Sequence, residues 1–374
     1  MKILQVGKFY YPNLGGIETV LRNLSEGLVE RGHEVDVLCF SSDFSNHTEV
    51  IQGVRIRRAS TLAKIASQPL SSSFAQKLLQ MAKGADLVQF HTPNPIAELV
   101  SLLLPRELPK VVAYHSDVVR QKWLLPFYLP LQRQFLNKMD RITVATENHI
   151  QHSGVLRNFA AKCDIIPYGL ESKNFTKTDT VLRRAKEIRK EHGPYVLFVG
   201  RLVGYKGISD LIRAMPELRA KLLIIGEGPL EDELQKLSRS LGISEQIKFL
   251  GRIEDLGPYY LGAEVFVLPS ISKNEAFGIV QLEAMAWGKP TVFTALDSGI
   301  KLVNVDQVTG FEVPPQEPPA LAKAMQKLIE NPELGKSMGI AAEARFFEFF
   351  TREKMVAAYE KTYRDLCVVK KSSS

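Results

Sequence analysis

Cysteine is scarce in this chain of 374 residues: Cys39, Cys163 and Cys367 are far apart and odd in number. They form no CxxC and no metal-ligand spacing, which argues against a disulfide-stapled scaffold and for a reducing, cytoplasmic compartment. No apolar run approaches the roughly 18 residues of a membrane span. The opening "MKILQVGKFYYP" has one early lysine and a brief apolar run before polar and proline residues, so it reads as a first buried strand and not as a secretory signal. HExxH, GxSxG, Walker and Asp-x-Asp sequences are all missing. Metalloprotease, serine-hydrolase and ATPase readings thereby lose their usual support, and a metal-held diphosphate loses its usual ligands. The net charge of +7 is modest and diffuse. It suits an anionic ligand or membrane surface, and with no basic block interleaved with aromatics it does not suggest a nucleic-acid partner.

What is present is a recurrent β-then-α pattern. Apolar runs stand at 2–7, 34–40, 85–91, 110–116, 141–147 and 163–169, and again at 195–201, 221–228, 247–252, 264–270 and 290–295, each followed by a helical pattern. Continuous apolar strands alternating with amphipathic helices predict parallel sheets covered on both faces, with five or six strands in each half. The fold class is therefore α/β with two doubly wound, Rossmann-like domains. The expected division is 1–170 and 171–350, with a boundary after "PYGLESKNF", and a last helical stretch, 351–374, that can cross back to the first domain.

Ligands of open parallel sheets bind beyond the carboxyl ends of the strands, and the unusual residues stand there. Gly15 and Gly16 follow the first strand and permit close approach to a phosphate or sugar at a helix start, beside the plain alternative of a flexible loop; Glu18 favours the helix dipole. His115 closes the strand of "VAYHSD", where a satisfied core histidine is the competing reading, and Asp117 reads as a cap for the next helix. In "GRLVGYKG" Arg201 and Lys206 can converge on a diphosphate, one as a fork and one as a point charge. Gly226 and Glu227 in "IIGEGP" can wall a nucleotide pocket or make a simple turn, and Ile253 in "LGRIE" can offer backbone groups to a base edge.

Glu275 and Glu283 lie eight residues apart in "NEAFGIVQLEAMAWGKP". Eight helical residues rise about 12 Å, beyond the roughly 5–9.5 Å of a glycosidase carboxylate pair. Glu275 belongs to a loop and Glu283 to the second turn of a helix, with the amides of Phe277, Gly278 and Ile279 between them at a helix N-terminus. This is a clamp for a long ligand with hydroxyls at both ends and a diphosphate in the middle, the outline of a nucleotide-sugar.

Taken in order, "GGIE", "YHSD", "GRLVGYKG", "GEGP" and the E-x7-E motif from Glu275 to Glu283 resemble the retaining glycosyltransferases of family 4 over nearly the whole chain. The resemblance implies the GT-B fold, two facing Rossmann-like domains with an interdomain cleft, the acceptor on the N-terminal half and the nucleotide-sugar on the C-terminal half. It implies that Arg201 and Lys206 neutralise the donor diphosphate, Glu275 holds sugar hydroxyls and Glu283 the ribose. Gly16 would lie near the reacting centre and His115 would contact the donor sugar. No cofactor and no metal are expected. The segments 114–136 and 272–290 look most like a bacterial mannosyltransferase subgroup, which suggests GDP-mannose and a saccharide or polyprenyl-linked acceptor. "DSGIKLVNVDQVTG" departs from the family's Gly-Gly-x-x-Glu, with Lys301 in place of the expected acid. A UDP-sugar donor, a non-catalytic nucleotide-sugar-binding subunit and a nucleotide-sugar epimerase are the alternatives. Segment 118–138 mixes aromatic, apolar and basic residues: it reads either as a peripheral contact with an anionic membrane on its cytoplasmic face or as an ordinary domain helix.

Overall fold

A computed structural model describes residues 1–372 apart from Leu14, Ser42, Phe44, 66–67, 118–124 and Asn274. The chain divides into two compact units, Met1–Leu170 with Arg352–Ser374, and Glu171–Thr351. In the first lie strands β1 (Lys2–Val6), β2 (Glu34–Phe40), β3 (His47–Ile51), β4 (Val54–Ala59), β5 (Ala63–Ile65), β6 (Gln68–Leu70), β7 (Leu87–Thr92), β8 (Lys110–Tyr114), β9 (Arg141–Val144) and β10 (Cys163–Ile165). Its helices are α1 (Gly16–Glu30), α2 (Ser72–Ala82), α3 (Pro95–Ser101), α4 (Leu125–Lys138) and α5 (Glu147–His152). The second has α6 (Asp179–His192), β11 (Tyr195–Val199), α7 (Ile208–Ala214), β12 (Lys221–Ile225), α8 (Glu231–Ser240), β13 (Ile247–Phe249), α9 (Gly257–Gly262) and β14 (Val265–Leu268). It continues with α10 (Ile279–Ala286), β15 (Thr291–Thr294), α11 (Ile300–Val303), β16 (Gly310–Val313), α12 (Pro318–Glu330) and α13 (Pro332–Phe349). The last helix, α14 (Arg352–Ser372), belongs to the first unit.

Both main sheets are doubly wound. The first runs β10-β9-β8-β7-β1-β2-β4-β3 and the second β13-β12-β11-β14-β15-β16. Every pairing is parallel except β3 with β4, and the small separate hairpin of β5 with β6. The first sheet is larger than the five or six strands expected. The added β3–β4 hairpin alternates charged and apolar residues at a sheet edge, so it lacks the continuous apolar run of a doubly covered strand. Its turn is signalled by Gln52-Gly53, both at positive φ, a two-residue hairpin turn matched to strand twist. In the second unit β16 adds a strand with no long apolar run, because it is only four residues, GFEV, with a glutamate among them.

The apolar runs are explained by burial on both faces. In β11, Val196 and Phe198 join the core beneath α7 and α12, whereas Tyr195, Leu197 and Val199 join the opposite core beneath α6 and α9. On one face of the first unit's sheet Leu4, Val6, Val88, Phe90, Val112 and Tyr114 pack with Phe74, Leu78, Phe135 and Leu136 of α2 and α4. The other face of β1 and β7 presents the fully buried Gln5, Gln89 and His91. It is covered in part by α14, whose Tyr363 bonds to both glutamines. A methyl group at Gly27 of α1 would collide with Val356 of α14, so the two helices pack at backbone distance there.

Candidate functional site

The second unit's strand order reverses between β11 and β14, the position where open parallel sheets bind ligands. The loops leaving these strands are laced together. Gly207, at φ 67°, lies so close to the Pro269 carbonyl that a side chain could not be accommodated, and Ile271 N donates to Tyr205 O at 2.8 Å. That lacing sets the buried Lys206 against the buried Glu275, Nζ to Oε2 2.5 Å, while Ser270 Oγ donates to the same carboxylate oxygen at 2.9 Å. Ser270 carries no sequence signal beyond its place at the strand end. Arg201 follows β11 and is exposed.

Gly226 and Glu227 stand on the neighbouring loop after β12. Gly226 N donates to Gly251 O, Leu202 N donates to Glu227 O at 2.9 Å, and a methyl at Gly226 would meet the Gly200 carbonyl. Gly207 of "GRLVGYKG" and Gly226 and Gly228 of "GEGP" are thus required by loop-on-loop packing, whatever they offer a ligand. Ile253 is half-buried against the core on the α6 and α9 side.

Helix α10 opens at Gly278, in the left-handed region at φ 70°, ψ 61° and without a side-chain cap. The first amides of a helix have no intrahelical acceptor and attract anions. Phe277, just before, is buried, and Ile279 is the first helical residue. One turn on, Glu283 is half-buried and its Oε2 accepts from Tyr260 Oη at 2.9 Å. Burial pushes its carboxyl up to about 7, opposed by that hydrogen bond. The Oη of Tyr260, fully buried on α9, also lies 3.2 Å from Val280 O, and the two contacts fix where Glu283 points. Glu275 in a loop and Glu283 in the second helical turn, with Phe277–Ile279 between them, form the local arrangement the spacing predicts.

In the first unit Gly15 is the cap residue of α1 in extended backbone, and the Glu18 carboxylate folds back over it where a side chain would sit. Burial raises the Glu18 carboxyl. Gly16 begins the helix. His115 is buried at the end of β8 with both ring nitrogens occupied: Nε2 lies 3.0 Å from His91 Nδ1 and Nδ1 lies 2.6 Å from Tyr168 Oη. Asp117 accepts from Tyr114 Oη at 2.5 Å and Ser153 Oγ at 2.9 Å. Its expected capping of the next helix, and the first part of segment 118–138, fall on residues outside those described. The remainder of that segment is α4, with Phe127, Arg133 and Lys138 exposed and Phe135 and Leu136 in the core. Among the described residues no helix is long and apolar enough to cross a membrane.

Two family models match the chain, "Glycosyltransferase Family 4" over residues 14–173 and "Glycosyl transferases group 1" over residues 181–345. It is 36% identical to the D-rhamnosyltransferase WbpZ of Pseudomonas aeruginosa, over 94% of this chain and 92% of that one. It is 33% identical to the O-antigen chain mannosyltransferase C of Escherichia coli, over 98% and 99%. Among solved structures it superposes on sucrose-phosphate synthase from Thermosynechococcus elongatus with a TM-score of 0.83, 23% identity and 98% and 99% coverage. It also superposes on Anabaena HepE in complex with UDP, with a TM-score of 0.79, 19% identity and 98% and 100% coverage.

Proposed function

Since the chain belongs to the family 4 glycosyltransferases and has their GT-B fold of two Rossmann-like domains, we propose that it transfers mannose from GDP-mannose, with retention, to a saccharide or lipid-linked saccharide. The observation that carries the donor reading is the Lys206–Glu275 pair at the switch point, beside the uncapped N-terminus of α10. The relatives named as a mannosyltransferase and a D-rhamnosyltransferase support the sugar class.

In this reading Lys206 and Arg201 neutralise the diphosphate, and the amides of Gly278 and Ile279 add hydrogen bonds without a metal ion. Glu275 holds sugar hydroxyls from its fixed place on Ser270, and Glu283 holds the ribose. Gly226, Glu227 and Ile253 flank the base. Gly15 and Gly16 let the backbone come close to the donor at the reacting centre, and His115 bounds the donor sugar. The acceptor oxygen attacks the anomeric carbon on the face from which the phosphate oxygen departs. The carbon–phosphate-oxygen bond breaks, the new glycosidic bond forms, and the departing phosphate oxygen takes the acceptor's proton. Charge stabilisation of the leaving group and alignment of two substrates supply the rate.

Calorimetric titration with GDP and with UDP tests the donor base, and a mass-spectrometric donor screen tests the sugar. GDP binding and GDP-mannose turnover are expected, without loss of rate in excess EDTA. Preference for UDP assigns the chain to UDP-glucose or UDP-N-acetylglucosamine chemistry, and nucleotide binding with no turnover of any donor assigns it a non-catalytic role. A cytoplasmic site of action with peripheral attachment to anionic membrane is supported by the net positive charge and by the exposure of Phe127 and Arg133 on α4. Flotation with anionic liposomes at low salt is the check, and absence from the lipid fraction refutes it.

A further inference from the structure

The buried polar residues on the α14 side of the first sheet form a single line of hydrogen bonds. Gln5 on β1 pairs in register with Gln89 on β7, and His91 stands two residues beyond Gln89 on the same face. Gln5 Nε2 donates to Tyr363 Oη at 3.4 Å, and Tyr363 Oη donates to Gln89 Oε1 at 2.9 Å. Gln5 Oε1 therefore faces His91 Nε2, 2.9 Å away, and that nitrogen carries the hydrogen. A neutral His91 must then accept at Nδ1, so His115 donates from Nε2 across 3.0 Å. A neutral His115 must in turn accept at Nδ1, and Tyr168 Oη donates to it across 2.6 Å. The donors all point the same way from Tyr168 through His115, His91 and Gln5 to Tyr363 and Gln89.

We propose that Tyr168, His91, Gln5 and Tyr363 are positioning residues that hold His115 as one neutral tautomer, with the hydrogen on Nε2. This rests on the assignment of His115 to the donor site made above. His115 then meets its ligand as a fixed, uncharged wall and does not act as an acid or base. A proton added to His91 would set two N–H groups against each other between the rings, and one added to His115 would place an N–H at Nδ1 against the Tyr168 hydroxyl and force it to turn from donor to acceptor, so either cation breaks the line. Burial acts in the same direction, pushing His91 down to about 3 and His115 well below the ordinary range, and His149 of α5 also faces His115 and disfavours its cation. The far end matters because direction is set there: the Tyr363 hydroxyl gives its hydrogen to Gln89 Oε1 and so accepts from the Gln5 amide, which turns Gln5 Oε1 towards His91. A residue of α14, 248 positions beyond His115 in the chain, thereby sets its tautomer.

The test uses the full chain labelled with nitrogen-15 in histidine, without substrate, and long-range proton–nitrogen correlation spectra. The His115 signals are identified by their loss in His115→Asn. Wild-type His115 is expected to remain neutral and protonated on Nε2 between about pH 6 and pH 8, where an ordinary histidine titrates. In Tyr363→Phe, which keeps the ring and loses only the hydroxyl, both tautomers are expected. Release of GDP from GDP-mannose, the donor proposed above, is read in parallel. Tyr168→Phe is expected to lower kcat about 10-fold, the equivalent of one hydrogen bond, with the donor KM unchanged. A titrating or Nδ1-protonated His115 in the wild type overturns the proposal. So does an unchanged kcat in Tyr168→Phe beside an active wild type, which would leave the line purely structural. A wild type that is spectroscopically as expected but releases no nucleotide from any donor refutes the transferase reading and leaves the tautomer assignment standing.

Discussion

Lys206 and Glu275 compensate each other's charge at the switch point. Both are buried, at 2.5 Å, and a donor phosphate is the natural third charge for the lysine. Removing one member leaves the other buried without its partner, which costs about 3–5 kcal/mol, whereas replacing both by neutral residues costs much less. Lys206→Met and Glu275→Gln should therefore each lower the thermal midpoint markedly, and the double variant should recover much of the loss. All three should lose turnover: a Lys206 variant near wild-type turnover at saturating donor would sink its diphosphate role. The single-residue identities here were legible in the sequence as strand-end lysine and loop glutamate. Their pairing was not, because it depends on Gly207 resting against Pro269, a contact between loops 62 residues apart.

Helix α10 is short, eight residues, and opens on a glycine in the left-handed region. At φ 70° an alanine at Gly278 costs about 1–2 kcal/mol in backbone alone, and its methyl would press on Leu268 Cδ2 at 2.7 Å. Gly278→Ala should destabilise the protein by roughly 2 kcal/mol and weaken nucleotide binding, as thermal unfolding and titration with GDP would read. Glu283 makes a second prediction on the same helix. Its folded carboxyl titrates near 7 and an unfolded one near 4.3, so the native state holds the proton more tightly between them. Stability that Glu283 contributes is therefore complete below about pH 4 and is lost as pH rises towards and through 7. Glu283→Gln should leave stability unchanged near pH 4 and raise it, by on the order of 2 kcal/mol, at pH 8, while weakening donor binding. Equal effects at both pH values would contradict the buried-carboxylate account. Tyr260, which orients Glu283, gave no sign in the sequence, since "PYYLG" looks like any helix packed on a sheet.

At the scale of the whole chain, α14 returns from the second unit to close the first. Glu360 gathers Arg364, Arg31 and His33, and Arg352 bonds to Glu30, so a cluster of charges fastens the last helix to α1 and to the start of β2. Hydrogen bonds from Arg364, then Arg31 and His33, hold the Glu360 carboxyl down at about 2. A depressed carboxyl contributes stability above its unfolded value near 4.3 that is lost as pH falls towards 2. Glu360→Gln should cost about 1 kcal/mol at pH 7, the small figure reflecting solvent screening of the exposed arginines, and progressively less as pH falls from about 4 through 2. Thermal unfolding across that pH range is the check. The α/β class and two-sheet architecture could be read from the apolar runs because burial on both faces writes an uninterrupted signal. The β3–β4 hairpin could not, because an edge strand with one wet face writes only alternation.

The sequence by itself determined the elements that burial and backbone chemistry dictate locally. These are parallel strands from continuous apolar runs, loops from glycine at strand ends, and a glutamate clamp from the spacing of Glu275 and Glu283 about a helix start. Tertiary structure alone decided which polar groups meet. Lys206 faces Glu275, Tyr260 aims Glu283, and Tyr363 reaches Gln5 and, through His91, His115. The reason is physical: hydrogen bonds and ion pairs act over about 3 Å, and the separations that bring such groups together are set by strand order and loop packing, which no local pattern records.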